Sequence, residues 1–176
     1  MEHLGPVFPG SGDGAAGRCG GRPPGVARGL EQSGDARFLP RFLLLQGEQA
    51  RYRGRTGAAA EALHDLEPIL AATKARAEGW YLPELLRIQG ELLLLRDGSA
   101  GADAAEQAFQ QSLDEAQQQG ALSWELRTAT SMAQLWKDRG RLSEAGALLR
   151  RVRARFAESA DTADMQAAKL LLDELS

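Results

Sequence analysis

The sequence predicts an all-α fold: an α-solenoid of three helical hairpins with a 43-residue period, closed by a C-terminal capping helix. Three observations predict it. From Ala36 onward the chain is dense in Ala, Leu, Glu, Gln and Arg, all good helix formers. The segment Leu39-Pro40-Arg41-Phe42-Leu43-Leu44-Leu45-Gln46-Gly47-Glu48 returns as Leu82-Pro83-Glu84-Leu85-Leu86-Arg87-Ile88-Gln89-Gly90-Glu91, identical at six of ten positions at an offset of 43. One further step of 43 reaches Leu126–Gln134, where Ala133 replaces the glycine and Trp124 stands where Phe38 and Tyr81 stood. A fixed period of this length is the mark of stacked supersecondary units.

The elements follow in order. The first 34 residues hold ten of the 20 glycines and four of the seven prolines. Such a stretch loses much backbone entropy on folding and offers little apolar surface in return. Residues 1–34 are therefore expected to be a disordered Gly/Pro-rich tail, and residues 35–176 the repeat domain. First helices are expected over Pro40–Arg53, Pro83–Arg96 and Glu125–Arg139, two of them opened by a proline whose missing N–H costs nothing in a first turn. Turns are expected at Gly54–Gly57, Asp97–Gly101 and Gly140–Leu142.

The second helices carry apolar residues at spacings of three and four, as a buried stripe requires. These are Ala59, Ala62, Leu63, Leu66 and Leu70; then Ala105, Ala108, Phe109, Ser112, Leu113 and Ala116; then Ala145, Leu148, Leu149, Val152 and Phe156. Asp103 with Glu106 reads as a capping pair, and Gly79 and Gly120 as helix C-caps. A last helix over Thr162–Leu175, N-capped by Asp161, would turn Met165, Ala168, Leu172 and Leu175 inward and cover the open end of the array.

Small residues pair across each hairpin: Gly47 with Ala59, Gly90 with Ala105, Ala133 with Ala145, each followed four later by Leu63, Phe109 or Leu149. This resembles the tetratricopeptide pattern, with Trp136 at its aromatic position, although longer helices stretch the usual 34-residue period. The run Trp80–Leu94, together with Trp124-Glu125-Leu126-Arg127, Leu135-Trp136, Gly140-Arg141 and the ending from Phe156 to Asp164, is similar to something narrower. It resembles the C-terminal repeats of large bacterial signalling ATPases, STAND-like regulators that often carry a cyclase or a winged-helix domain upstream. The resemblance covers about residues 25–176. It implies a non-catalytic scaffold for protein–protein or interdomain contacts, a detached C-terminal part of such a regulator. The alternative it leaves is the sensing tail of a transcription regulator or nucleotide cyclase whose catalytic domains are encoded upstream.

Composition excludes several classes. Net charge is −3, too balanced for a nucleic-acid or membrane-surface binder. Cys19 is the only cysteine, so no intrachain disulfide forms and a reducing, cytoplasmic location is expected. The opening residues lack a signal-peptide pattern, and the apolar runs are too short to span a bilayer. None of the three lysines, Lys74, Lys137 and Lys169, follows a glycine, so no phosphate-binding P-loop exists. Gly12-x-Gly14-x-x-Gly17 lacks both the strand before it and the helix after it. His3 and His64 are too few for most metal sites, and His64 beside Asp65 cannot form a dyad on a helix. Arg150, Arg151, Arg153 and Arg155 scatter around a helix axis and read as a solvated end. Trp80, Trp124 and Trp136 read as packing between hairpins. No cofactor and no metal is expected, and the chain is expected not to be an enzyme.

The remaining candidate is a peptide-binding groove along the first helices. Its outward-facing positions are read as Arg41, Glu48 and Tyr52; Glu84, Arg87 and Glu91; Arg127, Thr130 and Gln134. The partner expected there is a protein or peptide, such as an ATPase or cyclase module. Phe38, Phe42 and Leu45, at the open N-terminal end, are expected to be partly bare and to favour weak homo-oligomerisation.

Overall fold

The computed structural model describes residues 39–75, 79–156 and 162–175. Among them are seven α-helices and no strand: α1 (Leu39–Arg55), α2 (Ala59–Lys74), α3 (Leu82–Asp97), α4 (Ala102–Gln118), α5 (Leu122–Asp138), α6 (Leu142–Arg153) and α7 (Ala163–Glu174). The pairs α1–α2, α3–α4 and α5–α6 are hairpins. Successive first helices also stack on one another, α1 on α3, α3 on α5 and α5 on α7, while α2 packs on α3 and α4 on α5. This is the helical solenoid that the period predicts, with α7 taking the place of a fourth first helix. The tail expected over 1–34 lies outside the described residues, as does Phe38.

The predicted stripes are the buried ones. Leu66, Ala62, Phe109, Ala105, Leu149 and Val152 are fully enclosed, and Ile69 and Leu171 join them. Two apolar clusters result. One joins α1, α2 and α3 through Leu43, Ala50, Leu66, Leu70, Leu85, Ile88 and Leu92. The other joins α4 to α7 through Phe109, Leu113, Leu126, Met132, Leu149, Val152 and Leu172, with Leu93 and Leu94 of α3 reaching into it.

Helix ends depart from expectation in instructive ways. Gly54 is not in a turn but inside α1, where a Cβ would stand 2.1 Å from Leu92 Cδ2. The turn comes after it: Gly57 takes φ +101°, the Ala58 amide bonds to the Arg53 carbonyl, and the Gly57 amide bonds to that of Gly54. Gly140 repeats this arrangement between α5 and α6, with Arg141 bonding to Trp136 and Gly140 to Lys137. This six-to-one and five-to-two pattern needs a left-handed residue, which glycine supplies without a Cβ clash. Gly120 closes α4 in the same way, but Gly79 caps nothing: α2 ends at Ala75. The middle hairpin, whose small-residue pair Gly90 and Ala105 stands three residues further apart than the other two, holds a four-residue 3-10 segment in its turn, Gly98–Gly101.

Asp103 and Glu106 do not cap α4, whose N-cap is Gly101 without a side-chain bond. Glu106 instead accepts from Trp136 Nε1 at 2.8 Å and from Arg141 at 2.8 Å. At α7, Thr162 is the N-cap and accepts from the Met165 amide; Asp161 lies outside the described residues. The tryptophans divide: Trp136 packs half-buried against the C-terminal cluster and bonds to Glu106 of the preceding hairpin, as expected, with the Arg141 guanidinium over its ring, whereas Trp124 is half-buried beneath Arg127 and Trp80 is 45% exposed.

Candidate functional site

The first helices carry the polar residues that the sequence singled out, and the stacking sorts them into three environments. A helix turns about 100° per residue, so the face of α1 opposite Gly47 and Gly54 holds Arg41, Leu45 and Tyr52. Gly47 and Gly54 meet α3: their virtual Cβ atoms point at Leu85 and Leu92. Arg41 and Tyr52, both exposed, therefore sit toward the N-terminal end face of the array, on one stripe with Glu48 and away from Arg87, Arg127 and Thr130.

Glu84 and Arg87 are not outward-facing. Glu84 is fully buried and Arg87 is 5% exposed. Positions one period apart in successive units meet at the stacking interface, and these two fall there. The Arg87 guanidinium grips Glu84 in two parallel bonds, Nε to Oε2 at 2.8 Å and Nη2 to Oε1 at 2.7 Å. It also pairs with Glu91, one turn on, and reaches Ser131 Oγ of α5 at 3.3 Å. Ser131 donates back to Glu91 Oε1 at 3.2 Å. From α5, Arg127 Nη1 reaches Glu84 Oε1 at 3.0 Å, and its Nε reaches Asp164 of α7 at 3.2 Å. Burial alone would push the Glu84 carboxyl up. The Arg87 hydrogen bonds and charge, together with the Arg127 charge, outweigh that and hold it below the usual glutamate range. Arg87 is likewise held more firmly protonated than an ordinary arginine by Glu84 and Glu91, despite its burial.

Over this network lies a cleft of about 170 Å³, lined by Arg51, Arg87, Arg127, Thr130, Ser131, Asp164 and Ala167. The structure thus brings Arg87, Arg127 and Thr130 together there. Gln134 lies exposed further along α5, bonded to Asp138, whereas Glu48 of α1, paired with Arg51, also reaches the Glu84 carboxyl and adds its charge beside Arg87. Arg51, Ser131 and Asp164 were missed. The sequence did hold a signal for part of this: Arg41, Glu84 and Arg127 occupy one repeat position with alternating charge, and Arg127 pairs with Glu84 43 residues away. Such alternation marks a charge ladder across stacked helices rather than a solvated face.

A second, larger hollow of about 440 Å³ opens between α4, α5 and α6, floored by Leu113, Trp136 and Leu148. Glu125, 2% exposed, is paired there with Arg155, so one member of the basic run, half-exposed just past the end of α6, ties that segment to α5. Among the described residues no cluster of His, Cys, Asp or Glu could hold a metal ion, and no helix is long and apolar enough to cross a membrane.

No family model matches the chain, and no curated protein does. A solved structure does: a crystal structure from Podospora anserina of a protein assigned as a kinesin light chain, with nearly identical TPR-like repeats. It is 19% identical, with a TM-score of 0.64, and the match covers 78% of this chain and 66% of that one, just under two thirds. Identity this low speaks to the fold alone. The chain has a TPR-like helical-repeat fold.

Proposed function

We propose that the chain is a non-catalytic scaffold that binds a protein segment along its first helices, in the cleft between α1, α3, α5 and α7. The observation that carries this is the cleft's construction. Its floor is a set of arginines and carboxylates held rigid by one another, and Thr130 and Ser131 stand at its edge. Groups already ordered lose little entropy when a partner docks. Because the floor's charges are largely matched, recognition would come from hydrogen bonds to a peptide backbone rather than from net charge.

Selection from a displayed peptide library tests the reading. Enriched peptides should lose at least an order of magnitude in affinity on Thr130→Arg, which fills the cleft, and nothing on Gln118→Arg, an exposed position on α4. Enrichment that ignores both changes would sink the proposal.

The resemblance of Trp80–Leu94 and of the Trp124–Arg127 stretch to bacterial signalling ATPases supports a narrower version. In it the partner is an ATPase, cyclase or winged-helix module of the same regulator. An ATPase core encoded in frame or on the adjacent upstream strand would bear on that version alone. Under either version the chain neither binds nor hydrolyses nucleotides, because it lacks the glycine-rich cradle and its lysine. Micromolar binding of magnesium-ATP by calorimetry would overturn this.

A further inference from the structure

The two ends of the array carry faces that match each other. On α3, the residues that dock onto α1 are Leu85, Ile88, Leu92 and Leu95, set against Gly47 and Gly54. One period earlier, the same register on α1 is Phe42, Leu45, Gln49 and Tyr52. Nothing described covers it: Leu45 is 66% and Tyr52 70% exposed. At the other end, α7 buries Ala168, Leu171 and Leu172 and turns Ala163, Ala167 and Leu170 outward, with Leu170 65% exposed. That outward face is small-residued near its start, as the docking face of α1 is at its glycines.

Charge agrees with shape. Helix α1 carries four arginines against one glutamate, and α7 three acids against one lysine, although Arg51, Arg53, Asp164 and Glu174 are already paired within the chain. Successive first helices in the array run parallel. A second copy placed so would bring Arg55, at the C-terminal end of α1, beside Asp173 and Glu174 at the C-terminal end of α7.

We propose that the end face of α1 docks on the outward face of α7 of a second copy of this chain, continuing the stack head to tail. The contact uses two different patches, so it does not close on itself as a two-fold dimer would. It propagates into chains of increasing length. Ala167 borders the cleft, but Leu45, Tyr52 and Leu170, the positions that test this contact, lie outside its lining.

The full chain tests this by sedimentation velocity over a dilution series. The wild-type chain should give a mass that climbs with concentration and falls with added salt, as a partly ionic contact must. Leu45→Glu with Tyr52→Glu blocks one face, and Leu170→Glu blocks the other. Each variant alone should be a monomer, with an unchanged circular dichroism spectrum because all three positions are exposed. Mixed in equal amounts, the two should form a dimer and nothing larger, since each retains one complementary face. Two outcomes would overturn the proposal: a wild-type monomer at all concentrations, or a mixture that stays monomeric.

Discussion

The two stacking interfaces on either side of α3 share one geometry and differ in their dominant chemistry. Toward α1, α3 presents Leu85, Ile88 and Leu92 to two glycines, and the helices approach closely through an apolar contact with Glu48 at its polar margin. Toward α5, the same helix presents Glu84, Arg87 and Glu91, and the contact is a lattice of ion pairs closed by Ser131 and Arg127. The period fixes where neighbours meet but leaves open what they say to each other. A dry interface gains from apolar burial and tolerates wrong partners of similar shape. A charged one is costly to desolvate and costly to leave half-made, so it distinguishes one neighbour from another.

The comparison breaks most visibly at Glu84. Glu84→Ala removes the bidentate partner of the buried Arg87 guanidinium, leaving only the more exposed Glu91 and Glu48, and should cost about 3–5 kcal/mol in urea unfolding. Its protonation has a defined sign. The folded carboxyl titrates below its ordinary range, so the unfolded chain takes up the proton first on acidification. Stability from this group is complete above the ordinary glutamate range and is lost as pH falls through the lowered value. Glu84→Gln should flatten that acid limb, and an unchanged limb would remove Glu84 from the account. On the dry side, Gly47→Leu drives a side chain into Leu85, whose Cδ2 already lies 2.3 Å from a virtual Cβ. Overpacking of this kind costs about 1–3 kcal/mol, and a crystal structure should show α1 displaced from α3 with α3–α5 intact. The smallest effect belongs to Ser131→Ala. It removes a hydroxyl with two long bonds at a half-buried position, a loss of about 0.5–1 kcal/mol. A loss several times larger would mean the lattice is more cooperative than its pairs.

Much of the fold was legible because two signals were redundant. Identity at one offset gave the units, and apolar spacing gave each buried stripe, including Ala105, Phe109 and Leu113. Caps were less legible, since Gly79 and Asp103 have the right residue type without the right place. The site divided along a physical line. A helical wheel tells which residues share a face, so Glu84, Arg87 and Glu91 were grouped correctly. It does not tell whether that face meets water or another helix, which depends on residues some 40 positions away. Tyr52 and Arg41 are exposed as expected, though for a reason the wheel does not show: their register belongs to an interface in later units, and α1 has no described neighbour on that side.

The division of the interior into two apolar clusters has a consequence for how the molecule opens. In stacked arrays, stability is close to a sum over units and their junctions, and local opening follows those boundaries. Among the described residues the cluster spanning α4 to α7 encloses sixteen buried residues and that of α1 to α3 twelve, so the N-terminal block should yield first. Native-state amide exchange should then divide the chain near Gly98–Gly101, with α1 and α2 exchanging through a sub-global event and the central amides of α5 only through complete unfolding. A partner held at the α3–α5 face would span that boundary, and binding would couple two blocks that otherwise melt apart.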